Sequence, residues 1–148
     1  MALQVGDRAP DIRADGFQLS KLRGKRVVIF FFPKSDTPGC TKEACEFRDS
    51  SKKFSKLDAE IVGISPDAHE AQAKFAAKYS LPNTFVADPD HAIAEAYGVW
   101  KEKSMYGRKY MGIERSTFVV GADGRIAKIF SKVKPEGHAA AVLEALAA

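Results

Sequence analysis

The amino-acid sequence predicts an α/β fold with a central mixed sheet flanked by helices, preceded by an N-terminal edge-strand extension. Two observations carry this prediction. Short apolar runs alternate with amphipathic stretches through the first two thirds of the chain, and two extended runs around a glycine-containing turn follow them. A chain of 148 residues with 45% hydrophobic content is large enough to bury a core. We therefore expect residues 1–148 to form a single domain.

The first half of the chain supplies two predicted strands and a helix. Residues 1–26 are polar and turn-rich, which indicates short edge strands and loops. Residues 27–32 are a continuous apolar run, short enough for a strand buried on both faces. Residues 40–57 are predicted to form one helix from the spacing of Ala44, Phe47, Phe54 and Leu57. Residues 60–65 form a second apolar strand.

The second half continues the alternation and then changes pattern. The start signal Ser65-Pro66-Asp67 predicts a helix extending to Tyr79, followed by a strand at 84–87 and a short helix at 90–97. Residues 101–112 are interpreted as a loop that lines an apolar approach to a site or remains simply exposed.

The C-terminal part closes the predicted sheet. Residues 116–120 and 125–130 flank Gly121-Ala122-Asp123-Gly124, which predicts a β-hairpin. Pro135 opens a final helix through Leu146. This order of elements is that of a thioredoxin-like fold.

Charge and histidine spacing disfavour several classes of function. The net charge of +4 raises the possibility of nucleic-acid binding, but acidic residues are interleaved with the basic ones, so we expect no nucleic-acid partner. His69, His91 and His138 lack metal-ligand spacing and are expected to be solvated or at helix ends. No apolar run approaches the roughly 20 residues that span a bilayer, and no leader pattern is present. We expect no membrane, metal or cofactor, and a cytoplasmic location.

The two cysteines are the candidate chemistry. Cys40 and Cys45 follow the first buried strand, where open α/β sheets collect reactive groups. Their spacing does not match the Cys-x-x-Cys pattern of dithiol reductases, and no companion residues suggest a metal site. Two cysteines are too few for a secreted disulfide framework, so we expect reactive thiols in a reducing compartment.

Helix-start signals surround the first cysteine. Thr37 suits the N-cap and Pro38 the first helical position, which places Cys40 third in the first turn. Free backbone N–H groups and the helix dipole there favour a thiolate. A thiolate attacks an O–O bond to give a sulfenic acid. The alternative is that Cys40 is a small buried hydrophobic residue, as most free cysteines are.

Cys45 is the one intramolecular candidate to resolve that sulfenic acid. Five residues along a helix separate the two Cα atoms by roughly 8–9 Å. A disulfide needs Cα atoms within about 7 Å, so the helix must unwind before Cys40 and Cys45 join. The alternative is a packed core thiol beside Phe47.

These residues match a known family. The segment PKSDTPGC, residues 33–40, resembles the Pro-x-x-x-Thr-x-x-Cys signature of peroxiredoxins, and the second cysteine five residues on resembles the peroxiredoxin Q, or bacterioferritin comigratory protein, subfamily. The similarity continues in the family's order through VGDRAPD, VGISPD, ADPD, AYGVW and ERSTFVV, and so covers most of the chain.

The resemblance implies roles for individual residues. Cys40 would be the peroxidatic cysteine and Cys45 the resolving cysteine. Thr37 would hydrogen-bond the thiolate and the incoming peroxide, Pro33 would shield the nucleophile, and Arg115 would place a guanidinium at the site. Read without the family, Thr37 is only an N-cap and Pro33 a strand terminator.

Two other polar residues near these positions have competing interpretations. Taken alone, Arg115 is a surface partner of Glu114. Glu43 also resembles a family position near the site, and an exposed first-turn glutamate equally interacts with the helix dipole.

The implied activity is that of an atypical two-cysteine, thioredoxin-dependent peroxidase. It would reduce hydrogen peroxide and organic hydroperoxides, with thioredoxin or a similar dithiol protein as reductant and no cofactor. The lack of a long C-terminal arm with another cysteine favours a monomer. Two alternatives remain open: a general thiol–disulfide oxidoreductase, which the four-residue spacer disfavours, and a thioredoxin-fold binding module or holdase with inert thiols.

Overall fold

The computed structural model describes residues 3–14 and 16–147. The strands are β1 (Arg13–Ala14), β2 (Phe17–Gln18), β3 (Arg26–Phe31), β4 (Ala59–Ser65), β5 (Thr84–Ala87), β6 (Trp100–Met105), β7 (Arg108–Ile113), β8 (Ser116–Val120) and β9 (Ile126–Phe130). The helices are α1 (Pro38–Asp49), α2 (Ser51–Lys56), α3 (His69–Lys78), α4 (Ala92–Ala96) and α5 (His138–Ala147).

A five-stranded sheet forms the centre of the molecule. Its strand order is β5-β4-β3-β8-β9, with β3, β4 and β5 parallel and β8 and β9 antiparallel to their neighbours. The apolar strand β3 is central because every side chain from Val27 to Phe31 is buried, which requires cover on both faces. The predicted mixed sheet with flanking helices is confirmed, and β1 and β2 pair as a short N-terminal extension.

The side chains of β3 alternate between two core layers. Val28, Phe30 and Phe32 belong to the layer that also contains buried residues of α1, α2, α3 and α5. The intervening residues of β3 face the layer under α4 and the N-terminal segment. Aromatic contacts tie each layer to the strand, with ring centroids 4.8 Å apart for Phe30 and Phe47 and 5.3 Å apart for Phe31 and Tyr97. These contacts hold β3 between the two core layers.

The helix predicted over residues 40–57 is in fact two helices. The break is at Ser50, whose backbone angles are φ −100° and ψ 4° and whose N–H bonds both Glu46 and Phe47 carbonyls. In a straight helix Phe47 and Phe54, seven residues apart, would share a face but lie about 10.5 Å apart along the axis. The bend brings their ring centroids to 5.7 Å.

The interpretation of residues 101–112 as a loop is wrong. Strands β6 and β7 pair as an antiparallel hairpin, and the turn residues Tyr106 and Gly107 both have positive φ, 52° and 77°. Such values fit a two-residue turn that matches strand twist. Sequence periodicity missed it because most of β7 is exposed, so no buried face imposes a hydrophobic alternation.

His138 lies at a helix end, which was one of its two predicted environments, but it is not solvated. It opens α5, three residues after Pro135, and is only 5% exposed. Its Nε2 lies 2.7 Å from Thr117 Oγ1, and its ring meets the edges of Phe47 and Phe130. Burial, and then the positive charge of Arg115, lower the pKa of His138 to about 4. The neutral ring therefore anchors α5 to the sheet.

None of the helices in the described part of the chain is long and apolar enough to cross a membrane.

The His138 anchor gives a pH-dependent prediction. Because its folded pKa lies below its unfolded value, the stabilisation is complete above about pH 6.5 and is lost as the pH falls through about 4. We expect His138→Gln to destabilise the protein at about pH 7.5, with the difference from wild type narrowing by on the order of 2 kcal/mol at about pH 5. Urea unfolding of both proteins measures this. A difference that does not change with pH would contradict a buried neutral histidine.

Candidate active site

The ends of β3 and the start of β8 bring the predicted site together. These strands are antiparallel neighbours, and Phe31 pairs with Ser116. The chain leaving β3 through Pro33 to Thr37 therefore lies beside Arg115, which directly precedes β8. Sequence position alone separates Cys40 and Arg115 by 75 residues, and strand pairing places them in contact.

A guanidinium joins the cysteine to a buried carboxylate. Arg115 Nη2 donates to Cys40 Sγ at 3.2 Å, and Arg115 Nη1 donates to Glu43 Oε1 at 2.6 Å. Cys40 and Glu43 are three residues apart in α1, so they share one face of the helix. The planar fork of arginine spans both groups, which a lysine ammonium does not do. The arrangement places the positive charge of Arg115 beside the Cys40 sulfur.

Glu43 places a fully buried carboxyl group at the site. Its Oε2 has no hydrogen-bond partner in the described part of the protein. Burial raises the pKa of Glu43 to about 7, against the opposing effect of Arg115, and Glu46 raises it further. The sequence left two interpretations of Glu43, a family position near the site and an exposed dipole partner. The residue lies in contact with Arg115, and the expected exposure is wrong. Its burial depends on tertiary contacts of α1, which no local pattern reports.

Cys40 is itself only 1% exposed and packs in the same core layer as Phe30 and Phe47. The alternative of a small buried residue is thus right about its burial and leaves out its charged neighbour. Gly39 makes room for that neighbour, because a Cβ there would lie 3.3 Å from both Arg115 Nη2 and Pro135 Cγ.

The helix-start residues stand where they were predicted, with one difference. Thr37 is the N-cap, Pro38 is the first helical residue and Cys40 the third. The Thr37 side chain makes no capping bond, since its hydroxyl donates to the Lys34 carbonyl at 2.8 Å. That bond uses its proton and leaves oxygen lone pairs free to accept a hydrogen bond. Pro33 is half-buried beside this loop.

Two aspartates hold the loop between β3 and α1, and sequence reasoning missed both. Asp67 Oδ2 accepts from the Ser35 backbone N–H at 2.8 Å and from the hydroxyls of Ser35 and Ser65 at 2.7 Å. Asp36, at φ 61°, bonds Lys78 Nζ and Tyr79 Oη. Only the SPD segment gave a signal, and it was interpreted as a helix start. These contacts fix the loop from both sides.

Cys45 lies on the same continuous helix as Cys40. Both thiols are free, and Cys45 is half-buried against the core layer that includes Cys40. Because α1 is unbroken from Pro38 to Asp49, the roughly 8–9 Å separation of Cα atoms expected for five helical residues applies.

The β6–β7 hairpin contributes a second cation to the surroundings. Burial, and then the charge of Arg115, lower the pKa of Lys103, while Cys40 and Glu114 oppose this. Lys101 Nζ lies 2.7 Å from Glu114 Oε2, so the interpretation of Glu114 as the partner of Arg115 is wrong. No group of three or more His, Cys, Asp or Glu side chains that could hold a metal occurs among residues 3–14 and 16–147.

The chain is similar to known proteins over most of its length. A model described as the AhpC/TSA family matches residues 5–129. Peroxiredoxin Bcp of Bacillus subtilis is 46% identical over 151 aligned residues, covering 99% of this chain and 96% of that protein. Peroxiredoxin Bcp of Escherichia coli is 41% identical, covering 95% and 94%.

Solved structures give the same picture. A cysteine-to-serine variant of peroxiredoxin Q from Xylella fastidiosa has a TM-score of 0.91 and 33% identity, covering 99% of this chain and 97% of that one. The bacterioferritin comigratory protein of Xanthomonas campestris, described for its alkyl peroxide reduction activity, has a TM-score of 0.85 and 41% identity, covering 88% and 83%.

The burial of the Glu43 carboxyl group predicts that its contribution to stability changes with pH in the opposite direction to that of His138. Because the folded pKa of Glu43 is raised, its contribution to stability is fully present below about pH 4.5 and is lost as the pH rises through about 7. We expect Glu43→Gln to become more stable relative to wild type between those pH values, by up to about 3 kcal/mol.

Urea midpoints at several pH values test this, with the exposed Glu70→Gln on α3 as a matched control that should follow wild type. A Glu43→Gln protein whose pH dependence parallels wild type would mean that the buried carboxyl does not titrate in this range.

Proposed function

The chain belongs to the AhpC/TSA family and is a thiol peroxidase of the peroxiredoxin type, and from this premise we propose a cycle in which Cys40 reduces hydroperoxides and Cys45 resolves the product. The observation that carries the proposal is the 3.2 Å contact between Arg115 Nη2 and Cys40 Sγ. A guanidinium at that distance stabilises a thiolate over a thiol.

In the first step the Cys40 thiolate attacks one oxygen of the hydroperoxide. An S–O bond forms as the O–O bond breaks, the sulfur becomes a sulfenic acid, and the leaving oxygen departs as an alcohol or water after taking up a proton. Arg115 stabilises the negative charge as it passes from sulfur to the leaving oxygen. Glu43 acts as a positioning residue, because its 2.6 Å bond holds the other arm of the guanidinium.

Thr37 and Pro33 complete the proposed site. Since the Thr37 hydroxyl donates its hydrogen bond to the Lys34 carbonyl, its oxygen is left to accept a hydrogen bond from the O–H of the peroxide. This assignment is narrower than the sequence expectation, in which Thr37 also donates to the thiolate. Pro33 lacks an N–H and, half-buried in the loop, would limit water at the nucleophile.

In the second step the Cys45 thiolate attacks the sulfenic sulfur; the S–S bond forms as the S–O bond breaks, and the hydroxide that leaves takes up a proton from solvent to become water. The first turns of α1 must unwind, because the intact helix separates the two residues beyond disulfide reach. Unwinding breaks helix hydrogen bonds such as that from Thr41 N–H to Thr37 carbonyl at 2.8 Å. Oxidation of the sulfur favours this change, since a neutral sulfenic acid loses the ionic attraction to Arg115.

In the third step a dithiol protein, thioredoxin or a similar reductant, reduces the Cys40–Cys45 disulfide. We propose hydrogen peroxide and organic hydroperoxides as substrates. The alkyl peroxide reduction described for the Xanthomonas campestris relative supports the organic class. A single-domain monomer acting in the cytoplasm is also part of the proposal, as the sequence suggested.

Cysteine variants test the order of the steps. We expect Cys40→Ser to consume no peroxide, because the attacking sulfur is gone. We expect Cys45→Ser to be oxidised once at the wild-type rate and to stop at a sulfenic acid, which dimedone labelling and mass spectrometry detect. A Cys45→Ser protein that resists oxidation, or a Cys40→Ser protein that turns over, would reject the assignment.

The arginine prediction separates geometry from charge. We expect Arg115→Lys to slow Cys40 oxidation roughly 100-fold or more, since a lysine keeps the charge but does not bridge Glu43 and the sulfur. Arg23→Lys, at an exposed position outside the site, is the matched control. Stopped-flow oxidation by hydrogen peroxide is the measurement, and equal rates for both variants would exclude the proposed role.

A further inference from the structure

The β6–β7 hairpin is the most exposed apolar part of the described chain. Four large hydrophobic side chains are exposed among the described residues. Three of them belong to the hairpin: Tyr106 at 99%, Tyr110 at 43% and Met111 at 50%. Its strands pair only with each other, outside the five-stranded sheet. Exposed aromatic side chains grouped on one projecting element are typical of interaction surfaces.

The strand register divides the hairpin into two faces of different character. Lys101 pairs with Gly112 and Lys103 with Tyr110, and Arg108 lies two residues before Tyr110 on the same strand, so these positions share one face. We call Lys101, Lys103, Arg108, Tyr110 and Gly112 the site face. A Cβ at Gly112 would lie 3.4 Å from both Lys103 Cδ and Tyr110 Cε2, which confirms that these side chains lie together. The opposite face carries Glu102, Lys109 and Met111.

The site face adjoins the redox centre. Lys101 Nζ forms an ion pair at 2.7 Å with Glu114 Oε2, and Glu114 is the residue before Arg115. Lys103, farther along the same face, interacts electrostatically with both Arg115 and Cys40. A macromolecule that reaches the Cys40–Cys45 pair from this side must pass over the hairpin.

The two faces also differ in charge. The site face has three cations and no carboxylate of its own, and one of the cations, Lys101, is paired with Glu114. On the opposite face Lys109 lies 3.8 Å from Glu102. Arg108 has no ion-pair partner among the residues that the structure describes. A second copy of this chain would oppose cation to cation in a symmetric contact. The charges are complementary to an acidic partner.

The tip residue supports an intermolecular role. Tyr106 has φ 52°, a left-handed conformation that a bulky side chain adopts at a cost and that asparagine or glycine adopts readily. With 99% of its surface exposed, the ring gains little from the fold in return. Strain without internal contact is expected where a side chain serves a partner.

We propose that the site face of the hairpin, together with Tyr106, is the docking surface for the reductant, a dithiol protein that surrounds its reactive cysteines with apolar and acidic residues. This inference rests on the proposed function, which requires such a protein to reach the disulfide. Tyr106 and Tyr110 supply the apolar contact, and Lys103 and Arg108 supply the attraction and orientation.

The test compares neighbouring residues on opposite faces. Arg108→Glu and Lys109→Glu make the same charge change one residue apart. Each protein is oxidised to the disulfide with diamide, so that the assay does not depend on peroxidase activity. Reduction is then followed with a bacterial thioredoxin and, separately, with dithiothreitol, which needs no docking surface. Oxidation of the wild type by hydrogen peroxide is measured on its own and reports on the proposed function.

We expect Arg108→Glu to lower the second-order rate of reduction by thioredoxin roughly three- to tenfold at low salt, with the difference shrinking at high salt. Lys109→Glu should follow wild type, and dithiothreitol should reduce all three equally. Equal effects of the two variants, equal slowing with dithiothreitol, or a wild type reduced no faster by thioredoxin than by dithiothreitol would each overturn the proposal.

Tyr106→Asn provides an independent arm. Asparagine suits the positive φ of the turn, so the melting temperature should stay the same or rise while reduction by thioredoxin slows. A variant that is reduced by thioredoxin at the wild-type rate would overturn the role of the tip. Loss of rate together with loss of stability would also count against it.

Discussion

The contact of Arg115 with both Cys40 and Glu43 is the interaction on which the rest of the site depends. It occurs where almost no water reaches, since Cys40 is 1% exposed and Glu43 is fully buried. A guanidinium there stabilises a negative sulfur more strongly than it would at the surface, because solvent screening is small. The same burial raises the pKa of Glu43 to about 7, so the ion pair is held against a real desolvation cost.

The sheet holds the site in place, whereas the start of α1 must unwind in the proposed cycle. Pairing of β3 with β8 fixes Arg115, and two aspartates fix the loop that leads into α1, so the reactive geometry is held before substrate arrives. The proposed disulfide, however, requires the start of α1 to come apart. In the proposed cycle, oxidation of Cys40 removes its charge contact with Arg115, and with it an interaction that favours the folded start of α1.

Local sequence patterns were sufficient where the physics is local. The central strand, the helix-start position of Cys40 and the hairpin of β8 and β9 follow from apolar runs, capping residues and turn glycines. Local patterns did not predict the features in which burial is absent or depends on residues distant in the sequence. The β6–β7 hairpin has few buried residues to mark its alternation, and the break at Ser50 brings Phe47 and Phe54 closer together than the helical period of the sequence implies.

The sequence by itself determined the fold class, the family and the candidate cysteines, because strand and helix periods and a motif of eight neighbouring residues are properties of the chain alone. Only the tertiary structure decided which side chains share the site. Glu43 is the buried partner of Arg115, the Thr37 hydroxyl donates a hydrogen bond to the Lys34 carbonyl, and His138 lies in the core. Each of those outcomes depends on contacts made across strand pairing or helix packing, and on the loss of water there, which sequence separation does not encode.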